Sequence, residues 1–464
     1  MLLKPYHLFA HKGITYLLNI EEMEGYEIDE NTSMALHEIS LDPHFTLTPK
    51  MEEKLERLKM VAPVCQAEKK RATSKPNLAP VRNITLFITQ KCTLRCTYCY
   101  GNGGNYGSYG HMKYRTAKRA VDWLIEQSGV VKILGIAFFG GEPFLNFSLM
   151  KEVVAYAQKR GEMTGKEFKF SVTTNASLLD EDKITFLKEN KVKPLVSFDG
   201  SKDVQDAQRP FRNGGGSYEA IVPKISQLLQ IFPEVTARAT LVGQTDPDEV
   251  IRALHEIGFS STHITFASPS LFSVENKRNG KTRNNQGMAL MMEAEAEELL
   301  KNIKSCNTEN LKKQKVNGHL VTRLGEFLNN QKKYFGCGAG RAFVGVSNIG
   351  DVFLCHRFVG TEGYRLGNIF DKELERDVYQ ESPIKLAKEC YICFAKYICG
   401  GGCYHENLGA TGLLIEPSES YCRMMQRLAE LVAYVSSQLN EKDRIYMAKE
   451  KIIPRNPCLF DFPE

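Results

Sequence analysis

Three cysteines, Cys92, Cys96 and Cys99, stand in the run Lys91-Cys92-Thr93-Leu94-Arg95-Cys96-Thr97-Tyr98-Cys99. Three thiolates at this spacing suit three corners of a cubane iron–sulfur cluster and leave the fourth iron open to a substrate or cofactor. A zinc knuckle is the other use of the same residues. Seven more cysteines follow the pattern Cys337-x12-Gly350-x4-Cys355, then Cys390-x2-Cys393-x5-Cys399-x3-Cys403, then Cys422. The central four, taken alone, read as well as a zinc ribbon. Between the two groups lie short polar and glycine-rich runs that could line a ligand site. They are Gly140-Gly141-Glu142-Pro143, Thr173-Thr174-Asn175, Val196-Ser197-Phe198-Asp199-Gly200 and Gln205-Asp206-Ala207-Gln208-Arg209. Glycine admits close backbone approach to a ligand, and a guanidinium pairs bidentately with a carboxylate. Asn175 and Asp199 suit helix capping equally well.

Composition bounds the reading. A chain of 464 residues holds two or three domains, and 42 % hydrophobic with 25 % charged residues is ordinary for a globular protein. A net charge of +5 is too small over this length to argue for nucleic acid and mildly favours an acidic peptide. Thirteen cysteines without a signal-peptide pattern point to a reducing cytoplasm and to thiols that serve metals. No stretch is long and apolar enough to predict a membrane span.

The elements that must position these residues fall into blocks. In residues 1–61, Tyr6–Phe9 and Ile14–Ile20 read as strands around a Lys12-Gly13 turn, followed by helices over Thr32–Ile39, capped by Asn31, and from Pro49 to Met60. Met51, Leu55 and Leu58 share a face of the second helix. The pattern predicts a small, separate, winged-helix-like module. Residues 62–80 read as a basic linker. From Val81 strands and helices alternate. The strands are predicted at Ile84–Thr89, Ile133–Phe139, Phe168–Thr173, Pro194–Phe198, Ala237–Val242 and His263–Ala267. The intervening helices are predicted at Thr116–Glu126, Leu149–Arg160, Glu181–Asn190, Tyr218–Gln230 and Asp248–Ile257. Repeated βα units imply a parallel sheet with function at the C-terminal strand ends, and six strands make an incomplete barrel. Ser273–Gln286 reads as a surface loop and Met288–Ile303 as an amphipathic helix. The last block shows little periodicity until Met424, Leu428, Leu431, Val435 and Leu439, a helical stripe suited to core packing.

The cysteine triad after a strand, with Gly140-Gly141-Glu142-Pro143 one βα unit later, resembles the radical S-adenosylmethionine (SAM) enzymes. The resemblance implies an α/β fold built on a partial (β/α)6 TIM-like barrel over residues 81–315. It implies a [4Fe–4S] cluster on Cys92, Cys96 and Cys99 whose open iron chelates SAM and whose electron cleaves it to a 5′-deoxyadenosyl radical. Gly140, Gly141 and Glu142 would contact the SAM amino group, Ser197 and Arg209 its carboxylate, and Tyr98 would lie near adenine. Asn175 and Asp199 match further SAM-binding elements, although Ala176 stands where a glycine is usual. The later cysteines resemble the SPASM extension of peptide maturases, placed at residues 316–445 with a tail at 446–464. That likeness implies two auxiliary [4Fe–4S] clusters, three in all. Cys390, Cys393, Cys399 and Cys422 would hold one. Cys337, Cys355 and Cys403 would hold the other, one ligand short, with Cys65, Cys306 and Cys458 unassigned. Residues 1–61 resemble the PqqD-like domains that recognise a leader peptide.

The layout is similar to the maturases of six-cysteine peptides and ranthipeptides, which join a cysteine sulfur to a carbon of a ribosomally made precursor. That likeness implies two partners, a precursor bound through its leader and an electron donor such as flavodoxin or ferredoxin. Two other readings are an anaerobic sulfatase-type maturase that oxidises serine or cysteine to formylglycine, and a non-catalytic iron–sulfur electron carrier. Two departures weigh against the sulfatase type. His356 occupies the place of its aspartate base, with a base or a supporting role open to it, and Phe139 replaces a glutamine.

Overall fold

The computed structural model describes residues 3–42, 45–62, 78–243, 245–267, 271, 285–317 and 319–454. The basic linker run, most of the loop expected at Ser273–Gln286, Cys65 and Cys458 lie outside the described residues.

The chain opens with an antiparallel meander of β1 (Tyr6–His11), β2 (Ile14–Asn19) and β3 (Glu24–Ile28). Helices Glu30–Leu41 and Pro49–Arg57 follow. The first is capped by Asp29, whose carboxylate accepts from Thr32 N at 2.9 Å, and not by Asn31, which already lies inside it. Leu17, Ile28, Leu36, Ile39, Leu55 and Met60 form a small core between the sheet and these helices.

The other face of the same sheet is packed as well. Tyr16 and Leu18 alternate with Leu17 along β2, so both faces are apolar and both must be covered. Phe9, Tyr16, Leu18, Ile20 and Met23 share a second core with helices Asn285–Lys304 and Glu419–Ser437. Leu428, Leu431, Val435 and Leu439 of the predicted stripe are buried in it, and Met424 packs at its margin. His7 stacks on Phe394, ring centroids 3.5 Å apart, and its Nε2 stands 3.0 Å from Glu430. Glu21 accepts from Tyr397 Oη at 3.1 Å and pairs with Lys332 at 2.9 Å.

Among the described residues the main sheet has nine strands. Six of them, β4 (Asn83–Thr89), β5 (Ile133–Gly140), β6 (Glu167–Thr174), β7 (Val192–Ser197), β8 (Thr236–Leu241) and β9 (Ser261–Phe266), run parallel. All six match the predicted strands within two residues. The intervening helices bury their apolar stripes on the sheet, with Trp123, Leu124, Met150 and Leu228 in one continuous core. Beyond β4 the sheet gains strands that hydrophobic periodicity did not reveal. These are β10 (Phe343–Val346), parallel to β4, then β11 (Asp351–Phe353), antiparallel to β10, and β12 (Arg365–Asn368), antiparallel to β11. They are three or four residues long, too short to carry a pattern. Among the described residues no helix is long and apolar enough to cross a membrane.

One contact sets the seat of the N-terminal sheet. A Cβ on Gly25 of β3 would stand 2.1 Å from the Ala433 carbonyl oxygen of helix Glu419–Ser437. Gly25→Leu should therefore push the sheet off that helix at a cost of about 2 kcal/mol. Limited proteolysis should release fragments from residues 1–62 while the barrel stays intact, and a variant as resistant and as heat-stable as the parent would refute this seat.

Candidate active site

The cysteine run leaves the C-terminal end of β4 as an irregular loop, and the ends of its neighbouring strands hold it. Gly141 N donates to Thr89 O at 3.1 Å and Glu142 N to Lys91 O at 2.8 Å. A Cβ on Gly140 would lie 1.8 Å from Thr89 O, and one on Gly141 2.1 Å from Lys91 O. The two glycines are thus required by the cysteine loop's own backbone as well as by any ligand. Asn175, at the end of β6, donates to Thr93 Oγ1 at 3.1 Å and approaches Cys92 Sγ at 3.7 Å.

Cys92, Cys96 and Cys99 line one cavity of about 130 Å³. Tyr98, Gly140, Gly141, Asn175, Ser197 and Arg209, all singled out in the sequence, line it too. Burial pushes the Cys92 thiol up to about 12 and that of Cys96 to about 11. Three soft donors around a cavity floored by glycine suit an iron–sulfur cluster. Among the described residues no three His, Cys, Asp or Glu side chains converge as ligands of a single metal ion would. A cube of irons, each taking one thiolate, instead needs its thiols spaced apart. Burial favours the protonated thiol, so a cluster held here must displace those protons through its own charge.

Two predicted residues sit behind the cavity wall. Glu142 is 0 % exposed, and its carboxylate accepts from Asn175 N at 2.8 Å, Thr174 Oγ1 at 2.9 Å and Phe144 N at 3.2 Å. It ties β5 to β6. Asp199 caps no helix, since Ser201 precedes the next one. Its Oδ1 accepts from Thr240 N at 3.0 Å and its Oδ2 from Tyr98 Oη at 2.7 Å. Arg209 Nε stands 2.9 Å from the same Oδ2, off the N–H axis, so the contact is an ion pair rather than a hydrogen bond. In this structure Tyr98 and Arg209 are therefore partners of Asp199 as well as walls of the cavity.

The later cysteines separate into two groups. Burial raises the Cys355 thiol to about 12, with Cys403 and Cys337 as its neighbouring thiols. Their loops meet backbone to backbone, because a Cβ on Gly336 would lie 1.9 Å from Gly402 O. Cys390 is likewise raised to about 12 by burial and then by Cys399, Cys422 and Cys393. Cys306 is exposed beyond the end of helix Asn285–Lys304 and belongs to neither group. His356 lies behind Phe139, ring centroids 5.5 Å apart. Burial and then Arg357 and Arg238 hold its pKa well below the usual histidine value, which makes it a poor base.

Some residues around the cavity carried no motif. Tyr100, Tyr106, Arg238 and Arg357 all line it. Only Arg238 left a readable signal, an arginine inside a strand of a parallel sheet, where apolar residues are the rule. His405 is 1 % exposed, its ring nitrogens have no hydrogen-bond partner among the described residues, and it lies between Tyr100 and Phe358.

The buried Glu142 makes stability depend on pH. Burial raises its pKa to about 7, against the hydrogen bonds that favour the carboxylate. The folded chain then holds this proton more tightly than the unfolded chain. Its contribution is full below about pH 4.5 and is lost as pH rises through 7, about 3 kcal/mol in all. Denaturant unfolding of the iron-free protein should show that fall, and Glu142→Gln should flatten it; the same slope in both proteins would refute the assignment.

Comparison with known proteins places this geometry. Residues 86–257 match the model of the Radical SAM superfamily. The cysteine-type anaerobic sulfatase-maturating enzyme of Clostridium perfringens (strain 13 / Type A) is 25 % identical over 333 residues, 67 % of this chain and 85 % of that one. An uncharacterised protein of Methanocaldococcus jannaschii is 34 % identical over 134 residues, 29 % of this chain. The chain spans less than half the length of the first curated relatives it matches, 44 % and 38 %. Native anSMEcpe with bound AdoMet and Cp18Cys peptide superposes with a TM-score of 0.63 at 20 % identity, over 78 % of this chain and 100 % of that one. Streptococcus suis SuiB bound to precursor peptide SuiA does so with a TM-score of 0.50 at 16 % identity, over 90 % and 99 %. These likenesses agree on the α/β fold with its mostly parallel sheet. Residues 86–257 are a radical SAM domain, an enzyme domain, and the chain is similar in sequence to the cysteine-type anaerobic sulfatase-maturating enzymes.

Proposed function

We propose that the enzyme is a peptide maturase that joins a cysteine sulfur to a carbon of a ribosomally made precursor peptide. One observation carries this reading. Cys337, Cys355 and Cys403 form a three-thiol group with no fourth cysteine beside it among the described residues. It adjoins the cavity through Arg357, which lines the cavity, neighbours Cys403 in charge and lies over the Tyr100 ring, 5.6 Å from its centroid. A cluster on three cysteines has room for a substrate thiolate beside the place where SAM would react.

Cys92, Cys96 and Cys99 are the residues for the radical-generating [4Fe–4S] cluster. Bound there with SAM, it would supply the radical that takes a hydrogen atom from a substrate carbon. Gly140 and Gly141 keep the wall low enough for that ligand, and Asp199 orients Tyr98 and Arg209 toward it. Residues 316–445 act as a SPASM domain, with Cys337, Cys355 and Cys403 on one auxiliary cluster and Cys390, Cys393, Cys399 and Cys422 on the other. The edges of the β1–β3 sheet offer backbone groups on which a leader peptide can add as a strand. Electrons would come from a small carrier such as flavodoxin or ferredoxin in a reducing cytoplasm.

A sulfatase-type maturation remains the second reading, favoured by the Clostridium perfringens relative. Against it stands the place of its base, filled here by a buried histidine with a depressed pKa.

The test is anaerobic incubation of the reconstituted enzyme with SAM, dithionite and each small cysteine-containing peptide found encoded near its gene. The expected outcome is release of 5′-deoxyadenosine and a product short of two hydrogen atoms and one free thiol per link. Cys92→Ala/Cys96→Ala/Cys99→Ala should release none. An aldehyde in the product would favour the sulfatase-type reading, and 5′-deoxyadenosine from the triple variant would refute the cluster assignment.

A further inference from the structure

The cavity contains more positive charge than its own side chains balance. Three guanidinium groups line it, those of Arg209, Arg238 and Arg357. Arg209 faces Asp199, and Arg357 donates to Glu406. For Arg238, among the described residues, no hydrogen bond or ion pair is found; its titratable neighbours are Tyr100, Arg357, Arg209 and Tyr98, of which only the two arginines are charged at neutral pH. Arg238 sits in the middle of β8, beside Ser197 of β7 and His263 of β9. Ala237 and Ala239 on either side are fully buried toward the helices, so strand alternation turns Arg238 to the cavity. A cation inside a sheet is costly unless an anion meets it. Burial, then Arg357 and Arg209, pull its pKa below the ordinary arginine value.

The cofactors do not supply the missing anion. A [4Fe–4S] cluster on three thiolates carries one net negative charge in its oxidised form. SAM, with its sulfonium, ammonium and carboxylate, carries one net positive charge. The two cancel, and a cluster on Cys337, Cys355 and Cys403 would meet Arg357 from the side of Cys403, so neither brings a hydrogen-bonding oxygen to Arg238. Resting on the function proposed above, we infer that Arg238, with Arg357 beside it, receives the side-chain carboxylate of an acidic residue in the peptide substrate. The carbon that is cross-linked then belongs to that aspartate or glutamate. A carboxylate held by two guanidinium groups is oriented as well as attracted, which fixes one carbon against the radical. The acceptor chosen would follow from this pair of arginines.

The shared chemistry is a carboxylate, and SAM is its other source, so the experiment separates the two. Acetyl-Cys-Gly-Gly-Asp-amide and its Asn counterpart would be titrated calorimetrically, without oxygen, into the reconstituted enzyme in the presence of SAM. SAM alone would be titrated into the same proteins. The parent should bind the Asp peptide at least about ten-fold more tightly than the Asn peptide. Arg238→Gln should level the two, and Arg238→Lys, which keeps the charge, should restore part of the preference. Equal affinities in the parent, or no binding of either peptide, would overturn the inference. So would an Arg238→Gln variant that loses SAM affinity ten-fold and leaves the Asp-to-Asn ratio unchanged, for the carboxylate would then be that of SAM. Release of 5′-deoxyadenosine by the parent, measured in parallel, keeps the two readings apart. If it is absent the proposed function fails, and if it is present without an Asp preference only this inference fails.

Discussion

The close approach of the β5 end to the cysteine loop is the constraint on which the site depends. The loop after β4 has no secondary structure of its own, yet it must present three thiols to one space. Two hydrogen bonds, Gly141 N to Thr89 O and Glu142 N to Lys91 O, pin it to the neighbouring strand. Neither could form if Gly140 or Gly141 carried a side chain. Glu142 then locks β5 to β6 from behind, and Asn175 closes the same loop from the next strand. Each strand end thus braces the loop at a different point. Irregular backbone becomes precise when regular elements surround it.

Electrostatics adds a second layer. The cavity wall mixes thiols that burial keeps protonated with guanidinium groups that stay charged. Asp199 and Glu406 neutralise two of the arginines from outside the wall. The result is a chamber that favours anions and becomes more favourable to thiolate as metal enters, because positive iron offsets the desolvation of sulfur. Tyr98, between Asp199 and the cavity, has burial as the main cause that raises its own pKa, and it remains a neutral donor.

The N-terminal sheet and the last long helix are one packed unit. Burying both faces of β2 commits the first 60 residues to the helices at the other end of the chain. The contacts reach the second cysteine group directly, since His7 stacks on Phe394 and Glu21 meets Tyr397, within the segment from Cys393 to Cys399. A substrate held on the sheet would therefore stand on the same framework as those cysteines. This arrangement differs from a tethered module, whose position would be set by its linker.

The sequence by itself determined the strands and helices of the barrel, because each is long enough for its hydrophobic period to show. It also named the cysteine triad and the two later groups, since thiol spacing is local and specific. It could not tell which way Glu142, Asp199 and Arg209 turn, because that depends on backbone donors brought together from β5, β6 and β8. Asp199 looked like a cap and is a cross-strand acceptor. The short strands β10, β11 and β12 were illegible, as three or four residues hold no period, and pairing with β4 and with one another is what makes them strands. Arg238 and Arg357 carry no motif at all. Their roles arise from packing across segments more than a hundred residues apart, where burial and charge are properties of the assembled cavity and not of any stretch of chain.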